Sequence, residues 1–362
     1  MTRAERFIDG IQSLVPYAER IKSSGLPTFL YGMGDGAEKI FAYLTEQGVH
    51  FDGVVASDGF VRGQSFLGHS VISVSDAEAK HGKLCLVVCF GLEGDKADIL
   101  PSLAKKHLLI SPNLPVIGGG ACDREFILAH REEIKRISDL LADELSRDVF
   151  FSVLEYNITG DISLLEFGPQ AEEAPEEYFV GGGIFVDVGA YNGDTVAEYT
   201  ARNPHCGGII AFEPDKKTFL QLQKNTQSLK NIQLINKCAS DKPRLVTFGG
   251  GKGRGSHIGD GGHTAETESI DNATGFLHIG AEGTPVSAIK IDAEGEDERV
   301  LCGSANTLWC CKSNVCVAVY HRAGDIFEIP MMLIRFGNKY KYYFRKKKYI
   351  PAWDIFFYAL NH

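Results

Sequence analysis

The stretch IFVDVGAYNGDTV, residues 184–196, decides the fold. Apolar residues around Asp187 predict a buried strand, which leads through Gly189 and Gly193 into a helix. A strand, a glycine turn and a helix in this order let the backbone approach a ligand closely, while the first amides of the helix point at it. A carboxylate at the strand end disfavours a pyrophosphate. It suits a ligand that carries both an ammonium and a carboxylate group.

Strands and helices alternate on both sides of this unit. After it, IIAF, IQLI, AIKI and NVCVAV predict further strands, and before it TFLY, GVVA and LCLVV do the same. Such alternation is typical of parallel βαβ units. The sequence therefore predicts an α/β protein with two Rossmann-like domains. We place an N-terminal one at residues 1–120, a helical connector and acidic surface linker at 121–180, and a second at 181–362.

Composition narrows the class of protein. The 362 residues carry a formal net charge of −10, which argues against nucleic acid as a partner because phosphates attract basic surfaces. No apolar run reaches the roughly 20 residues of a membrane span. The nine cysteines match no zinc spacing, and we interpret them as buried thiols. With an N-terminal helix pattern that lacks signal-peptide features, this indicates a cytoplasmic protein.

The strand ends of the second domain suggest the ligand. Glu213 follows Gly193 by about twenty residues, where an acid binds ribose hydroxyls, and Ser240 with Asp241 ends the third strand, near an adenine edge. An amino-acid head, a ribose and an adenine together describe S-adenosylmethionine. The residues predicted to bind it are Asp187, Gly189, Ala190, Tyr191, Asn192, Gly193, Asp194, Glu213, Pro214, Ser240, Asp241 and Asp292.

Four segments make a family resemblance specific. FVDVGAYNGDT, IIAFEPD, AIKIDAEGEDERVLCGSANTL and VAVYHRAGDIFEIP occur in the order and at the approximate spacing of the FkbM-type S-adenosylmethionine-dependent methyltransferases. The resemblance covers roughly residues 141–362. It implies a class I methyltransferase fold, a seven-stranded sheet with a reversed final hairpin. It also implies methyl transfer to oxygen, often on sugars, glycans or natural products.

Methyl transfer to a hydroxyl needs a base and an aligned acceptor. His321 and Asp292, both at strand ends, are the candidate bases, and the sequence does not rank them. Lys290 lies two residues before Asp292 and is expected to pair with a carboxylate. The candidate substrate-binding residues are Glu294, Tyr320, Asp325 and Arg254. A helix N-cap explains Asp325 equally well. Asp292, Glu294 and His321 could also gather a divalent cation, although their spacing does not require one.

Two further segments leave alternatives open. KYKYYFRKKKY, residues 339–349, either binds an anionic acceptor such as a sugar nucleotide or forms an exposed edge strand protected by its lysines. Residues 249–262 are more than half glycine, which indicates a loop. This loop either closes over the acceptor or is an insertion without structure.

The N-terminal half supports the competing functions. Gly32, Gly34 and Ala37 form a G-x-G-x-x-A variant of the dinucleotide fingerprint, and Asp58 ends the next strand. This half either binds a nucleotide or nucleotide sugar or has kept the fold without a ligand. An NAD-dependent oxidoreductase or epimerase of nucleotide sugars, and a non-catalytic two-domain scaffold, are therefore the alternatives to a methyltransferase. The oligomeric state is not predicted.

Overall fold

Short β-branched runs separated by glycine turns form two parallel-rich sheets in a computed structural model of the chain. The structure describes residues 1–250, 256–258, 262–275, 284–337 and 339–361. The strands of the first half are β1 (Thr28–Tyr31), β2 (Gly53–Ala56), β3 (Ser65–Phe66), β4 (His69–Ser73), β5 (Cys85–Val88), β6 (Leu92–Glu93) and β7 (Leu108–Ile110). Its helices are α1 (Arg3–Gly10), α2 (Tyr17–Ser24), α3 (Asp35–Glu46), α4 (Val74–His81) and α5 (Ile99–Ala104).

The first sheet has the order β3-β4-β2-β1-β5-β7, in which all pairings are parallel except that of β3 with β4. The five parallel strands follow the Rossmann order, which confirms the predicted fold of this half. Short strands β3, β4 and β7 lie where the sequence analysis names no strand.

Three helices connect the halves: α6 (Arg124–Ala129), α7 (Arg131–Leu140) and α8 (Glu144–Thr159). Asp143 caps α8, since its carboxylate accepts the amide of Ser146 at 2.7 Å. The predicted surface linker after α8 is only partly on the surface. Tyr178 and Phe179 are buried against the second sheet because their rings pack on Tyr199.

The second half contributes twelve strands and six helices to the described part of the chain. The strands are β8 (Ile184–Val188), β9 (Gly208–Phe212), β10 (Ile232–Ile235), β11 (Cys238–Ala239), β12 (Leu245–Gly250), β13 (Ser256–Ile258), β14 (Gly262–Glu268), β15 (Val286–Ile291), β16 (Asn314–Ala318), β17 (Tyr340–Lys346), β18 (Tyr349–Ile350) and β19 (Ile355–Asn361). The helices are α9 (Asp194–Arg202), α10 (Lys216–Thr226), α11 (Ile270–Ala273), α12 (Asp297–Cys302), α13 (Ala305–Cys311) and α14 (Asp325–Arg335).

The main sheet of this half has the order β10-β9-β8-β15-β16-β19-β17, with β19 antiparallel to both neighbours. This is the predicted seven-stranded class I methyltransferase sheet with its reversed final hairpin. A smaller sheet, β11-β14-β12-β13, takes up part of the glycine-rich segment that was predicted to be a loop. Arg254 lies outside the described residues.

The terminal strand β17 is not an exposed edge. Helix α8 covers it: Phe150 stacks on Phe344 with ring centroids 5.0 Å apart, and Arg345 donates to Asp143 at 2.8 Å. One continuous apolar core includes Phe29 and Leu86 of the first half and reaches across α8 to Phe344. All nine cysteines are free thiols.

Candidate active site

The glycine turn after β8 brings two strand ends into close contact. Gly189 has φ +73° and lies so near the end of β15 that an added Cβ would collide with the carbonyl oxygen of Asp292. Gly193, with φ +91°, precedes α9, and a Cβ there would lie 3.0 Å from Leu222. Both glycines are therefore required by the backbone and its neighbours. Tyr191 adopts φ +46°, a conformation that costs a non-glycine residue energy and is concentrated at functional sites.

Glu213 at the end of β9 is held by two backbone amides. Tyr191 donates to its Oε2 at 3.0 Å, and Asp215 donates to its Oε1 at 2.8 Å. Burial raises the pKa of the Glu213 carboxyl to about 7, against the effect of these hydrogen bonds. The turn after β8 and the turn after β9 are thus tied together by one carboxylate. Each of its oxygens keeps a second acceptor position.

A buried lysine joins two carboxylates of neighbouring strands. Lys290 Nζ lies 3.3 Å from Asp292 Oδ2, 3.8 Å from Asp187 Oδ1 and 3.3 Å from the carbonyl oxygen of Gly189. Asp187 is fully buried, and its oxygens accept no hydrogen bond from the described residues. Burial raises the pKa of Asp187 to about 6, against the pull of Lys290. The pairing expected for Lys290 is confirmed, and it involves both carboxylates.

His321 is fully buried and lies next to Asp292. Its Nδ1 is 2.8 Å from Asp297 Oδ2, and its Nε2 is 3.4 Å from Asp292 Oδ1 and 3.6 Å from Glu294 Oε2. Burial alone would lower the pKa of His321, but Asp297 and Asp292 outweigh it and raise that pKa well above its usual value.

The carboxylates around His321 differ in basicity. Burial raises the pKa of Glu294 to about 8, with His321 acting in the opposite sense. Burial also acts to raise the pKa of Asp292, but Lys290 and His321 hold it well below its usual range. Tyr320 donates to Asp292 Oδ1 at 3.3 Å.

A cavity of about 350 Å³ opens over these strand ends. Eight of the predicted site residues line it: Gly189, Tyr191, Asp194, Glu213, Pro214, Asp292, Glu294 and Tyr320. Asp187, Ala190, Asn192, Gly193 and His321 do not line it. Asp187, Ala190 and His321 are buried, Asn192 Oδ1 accepts the Asp194 amide at 3.2 Å, and Gly193 packs on α10.

Three other predicted residues lie away from the cavity wall. Ser240 and Asp241 are bonded to Arg244, and Ser240 Oγ donates to Glu296 Oε2 at 3.0 Å, so their side chains do not line the cavity. Cys238 and Ala239 of β11, the two residues directly before Ser240, line it instead. Asp325 is the first residue of α14 and not its cap, and its Oδ2 accepts the Arg322 amide at 2.8 Å.

The three residues predicted to gather a divalent cation, Asp292, Glu294 and His321, are not the group with the ligand geometry of a metal site. In the described ranges, the side chains whose candidate ligand atoms all lie within 4.8 Å of one another are Asp297, His321 and Asp325. Asp297 already accepts the amides of Ala293 and Gly295 at 2.8 Å and 3.1 Å, besides contacting His321. This group is an internally bonded cluster that orients the imidazole ring.

Several lining residues were missed by sequence reasoning. Glu296 belongs to the acidic run after β15, and that run was a usable signal. Tyr349 and Lys347 also line the cavity and belong to the segment 339–349 that was considered for acceptor binding. Glu93, Val116 and Trp353 line it as well, but they come from distant segments and no local pattern marks them.

The N-terminal fingerprint is built differently from a ligand cradle. A Cβ at Gly32 would meet the ring of Phe90, which packs edge-on against Tyr31 with centroids 4.9 Å apart. Asp58 accepts the hydroxyl of Ser75 at 2.7 Å, at the start of α4. An aromatic ring therefore lies over this turn, and the acid at the next strand end is already bonded.

Comparison with known proteins identifies the second half. The model of the methyltransferase FkbM domain matches residues 187–342. A methyltransferase FkbM from Methylobacillus flagellatus KT shares the fold, with 15% identity, 98% of each chain covered and a TM-score of 0.68. No curated protein matches the sequence.

Two further similar structures each overlap about half of the chain. An rRNA methylase from Streptococcus thermophilus is 13% identical over 51% of this chain and 90% of its own, with a TM-score of 0.31. Aeropyrum pernix fibrillarin, with natively bound S-adenosyl-L-methionine, is 11% identical over 51% and 68%, with a TM-score of 0.32. Among the described residues, no helix has the length and apolar character needed to cross a bilayer. Residues 187–342 match the methyltransferase FkbM domain, and on that match the chain is a methyl-transfer enzyme.

Proposed function

We propose that the chain is an S-adenosylmethionine-dependent O-methyltransferase acting on a hydroxyl of a sugar, a glycan or a related small molecule. The observation that carries the proposal is the cavity over β8, β9, β15 and β16, in which Glu213 is fixed by the amides of Tyr191 and Asp215. A buried carboxylate oriented in this way suits the two hydroxyls of a ribose.

The residues of the cavity fit this cofactor. Glu213 would hold the ribose, Cys238 and Ala239 would border the adenine, and the turn at Gly189 would leave room for the amino-acid part. Carboxylates outnumber lysines on the cavity wall, as a ligand with a sulfonium and an ammonium requires. When bound, the cofactor supplies a methyl group on a positively charged sulfur.

We assign the base to Glu294 rather than to His321 or Asp292. Glu294 lines the cavity, whereas His321 is fully buried, does not line it, and is held between Asp297 and Asp292. Asp292 is held ionised by Lys290, so it is a weak proton acceptor. A carboxylate with a raised pKa accepts a hydroxyl proton more readily. His321 then acts as a positioning residue, with Asp297 fixing its ring.

Binding of S-adenosylhomocysteine, measured by calorimetry, tests the cofactor site. Glu213→Gln should weaken binding by about a hundredfold, because two charge-assisted hydrogen bonds are lost. Glu198→Gln, an exposed change on α9, is the matched control and should bind like the unmodified protein. Equal affinity for both variants would contradict the assignment of the ribose to Glu213.

Transfer itself is tested with labelled S-adenosylmethionine over free sugars, nucleotide sugars and lipid-linked glycans. Methylated product on a hydroxyl supports the proposal. Label transferred only to nitrogen or sulfur nucleophiles would overturn the O-methyltransferase assignment while leaving the cofactor site intact.

A further inference from the structure

Both halves of the chain contribute to the cavity wall. Glu93 and Val116 of the first half line it together with Tyr349 and Trp353 near the C-terminus. We call these four residues the seam subsite. Val116 adjoins the residues around the proposed base, because the amide of Ile117 donates to the carbonyl of His321 at 2.9 Å and a Cβ at Gly295, next to Glu294, would lie 3.1 Å from Ile117. We expect an acceptor at the proposed base to contact this subsite.

Backbone pairing fixes the seam subsite. Strand β6 pairs antiparallel with β18, with Glu93 opposite Tyr349, and the amide of Gly94 donates to the carbonyl of Lys348 at 2.8 Å. Opposed residues of an antiparallel pair point to the same face. Gly91 packs so tightly under the Tyr349 ring that a Cβ there would collide with its hydroxyl. The subsite is therefore a preformed wall.

The side chains of this wall combine aromatic faces with acids. The rings of Tyr349 and Trp353 lie 5.5 Å apart at an angle of 32°. The buried indole Nε1 of Trp353 donates to no described residue. Glu93 and Asp354 place carboxylates beside the rings. Aromatic faces pack on the C–H faces of pyranose rings, and carboxylates accept hydrogen bonds from their hydroxyls.

Three of the four basic residues at 345–348 are engaged away from the cavity wall. Arg345 is bonded to Asp143, the buried Lys346 donates to the carbonyls of residues 347 and 349, and Lys348 lies 2.8 Å from Asp98. Lys347 lines the cavity. Among the described residues, the cavity wall carries eight carboxylates and two lysines, so a phosphate or carboxylate on the acceptor would meet mainly like charge.

We propose that the seam subsite binds a neutral saccharide, so that the acceptor is an uncharged sugar or glycan rather than a nucleotide sugar or an acidic glycan. This inference rests on the proposed function, whose acceptor class it narrows. It also gives the N-terminal half a role that does not require a nucleotide. That half contributes acceptor-binding side chains through Glu93 and Val116.

Tryptophan fluorescence reports on the subsite directly. The chain has two tryptophans, and Trp309 is exposed away from the cavity, so Trp309→Phe leaves Trp353 as the sole reporter. In this background, neutral methyl glycosides and disaccharides are titrated, each beside its phosphorylated or uronic-acid counterpart and beside UDP-glucose. Neutral members should change Trp353 emission saturably and bind at least about tenfold more tightly than their anionic partners.

A charge-removing variant and its control locate the effect. Glu93→Gln should weaken neutral-saccharide binding about tenfold, since a hydrogen bond to a charged group is lost. Asp95→Asn, an exposed change two residues on, should have no effect. Tighter binding of the anionic members, or no response of Trp353 across the panel, would overturn the inference while S-adenosylhomocysteine still bound. Failure of S-adenosylhomocysteine to bind the unmodified protein would refute the proposed function and this inference with it.

Discussion

At the scale of single residues, the proton acceptor determines the pH dependence. Burial raises the pKa of Glu294 to about 8. Below that pH the carboxyl is mostly protonated, and in that form it cannot take the proton from the hydroxyl that is to be methylated. The single-turnover rate should therefore rise with pH up to about 8 and then level off. Glu294→Gln should lower the rate about a hundredfold or more and remove this rise, with S-adenosylhomocysteine affinity unchanged. A variant that kept the rate and its pH profile would exclude Glu294 as the base.

The second prediction concerns Lys290, which pairs with the carboxylates of Asp187 and Asp292. Lys290→Met leaves the buried Asp187 without a cation and Asp292 with His321 alone, and should cost about 3 kcal/mol of unfolding free energy, measured by urea denaturation. Adding Asp187→Asn should recover part of this loss, because one of the stranded charges is removed. Strict additivity of the two substitutions would show that the lysine does not stabilise Asp187.

Residue-scale prediction from the sequence had a clear limit. The glycine turn, Glu213 and the pairing of Lys290 could be inferred, because strand ends in a parallel sheet share one edge. The burial of His321 could not, since it depends on Asp297, which approaches from the start of α12. Ser240 and Asp241 were predicted near the adenine, but their side chains bond Arg244 and do not line the cavity. No spacing rule identifies Arg244 as their partner.

At the scale of elements, α8 changes the character of β17. The sequence alternation suggested an exposed edge, but the contact between Arg345 and Asp143 attaches the strand to the first turn of the helix. Asp143→Ala removes both the cap and the ion pair and should cost about 2 kcal/mol, whereas Asp143→Asn keeps the cap and should cost about half as much. Urea denaturation of both variants measures the difference. Equal losses would show that the cap contributes nothing.

At the scale of the whole molecule, the core is continuous across the two halves. Phe29 of the first sheet and Phe344 of the second belong to one apolar cluster. Hydrogen exchange in increasing urea should therefore show β1 and β8 losing protection together, as one cooperative unit. Loss of protection in one sheet at clearly lower urea would mean that the halves unfold separately.

Both sheets could be predicted from the sequence, because strand and helix patterns alternate along each half of the chain. How the halves meet was not predictable, because the two-residue strands β6 and β18 carry no periodic signal and lie 257 positions apart, from Leu92 to Tyr349. Glu93, Val116 and Trp353 of the seam subsite were missed for the same reason, whereas Tyr349 lies in the basic, aromatic segment that was considered for acceptor binding.

The pairing of β6 with β18 has a consequence for divergence. Under the proposed function, the methyl donor lies against the C-terminal half, whereas part of the seam subsite comes from a stretch that ends before residue 120. Substitutions around Glu93 are therefore expected to alter which molecule is modified and to leave the donor chemistry as it is.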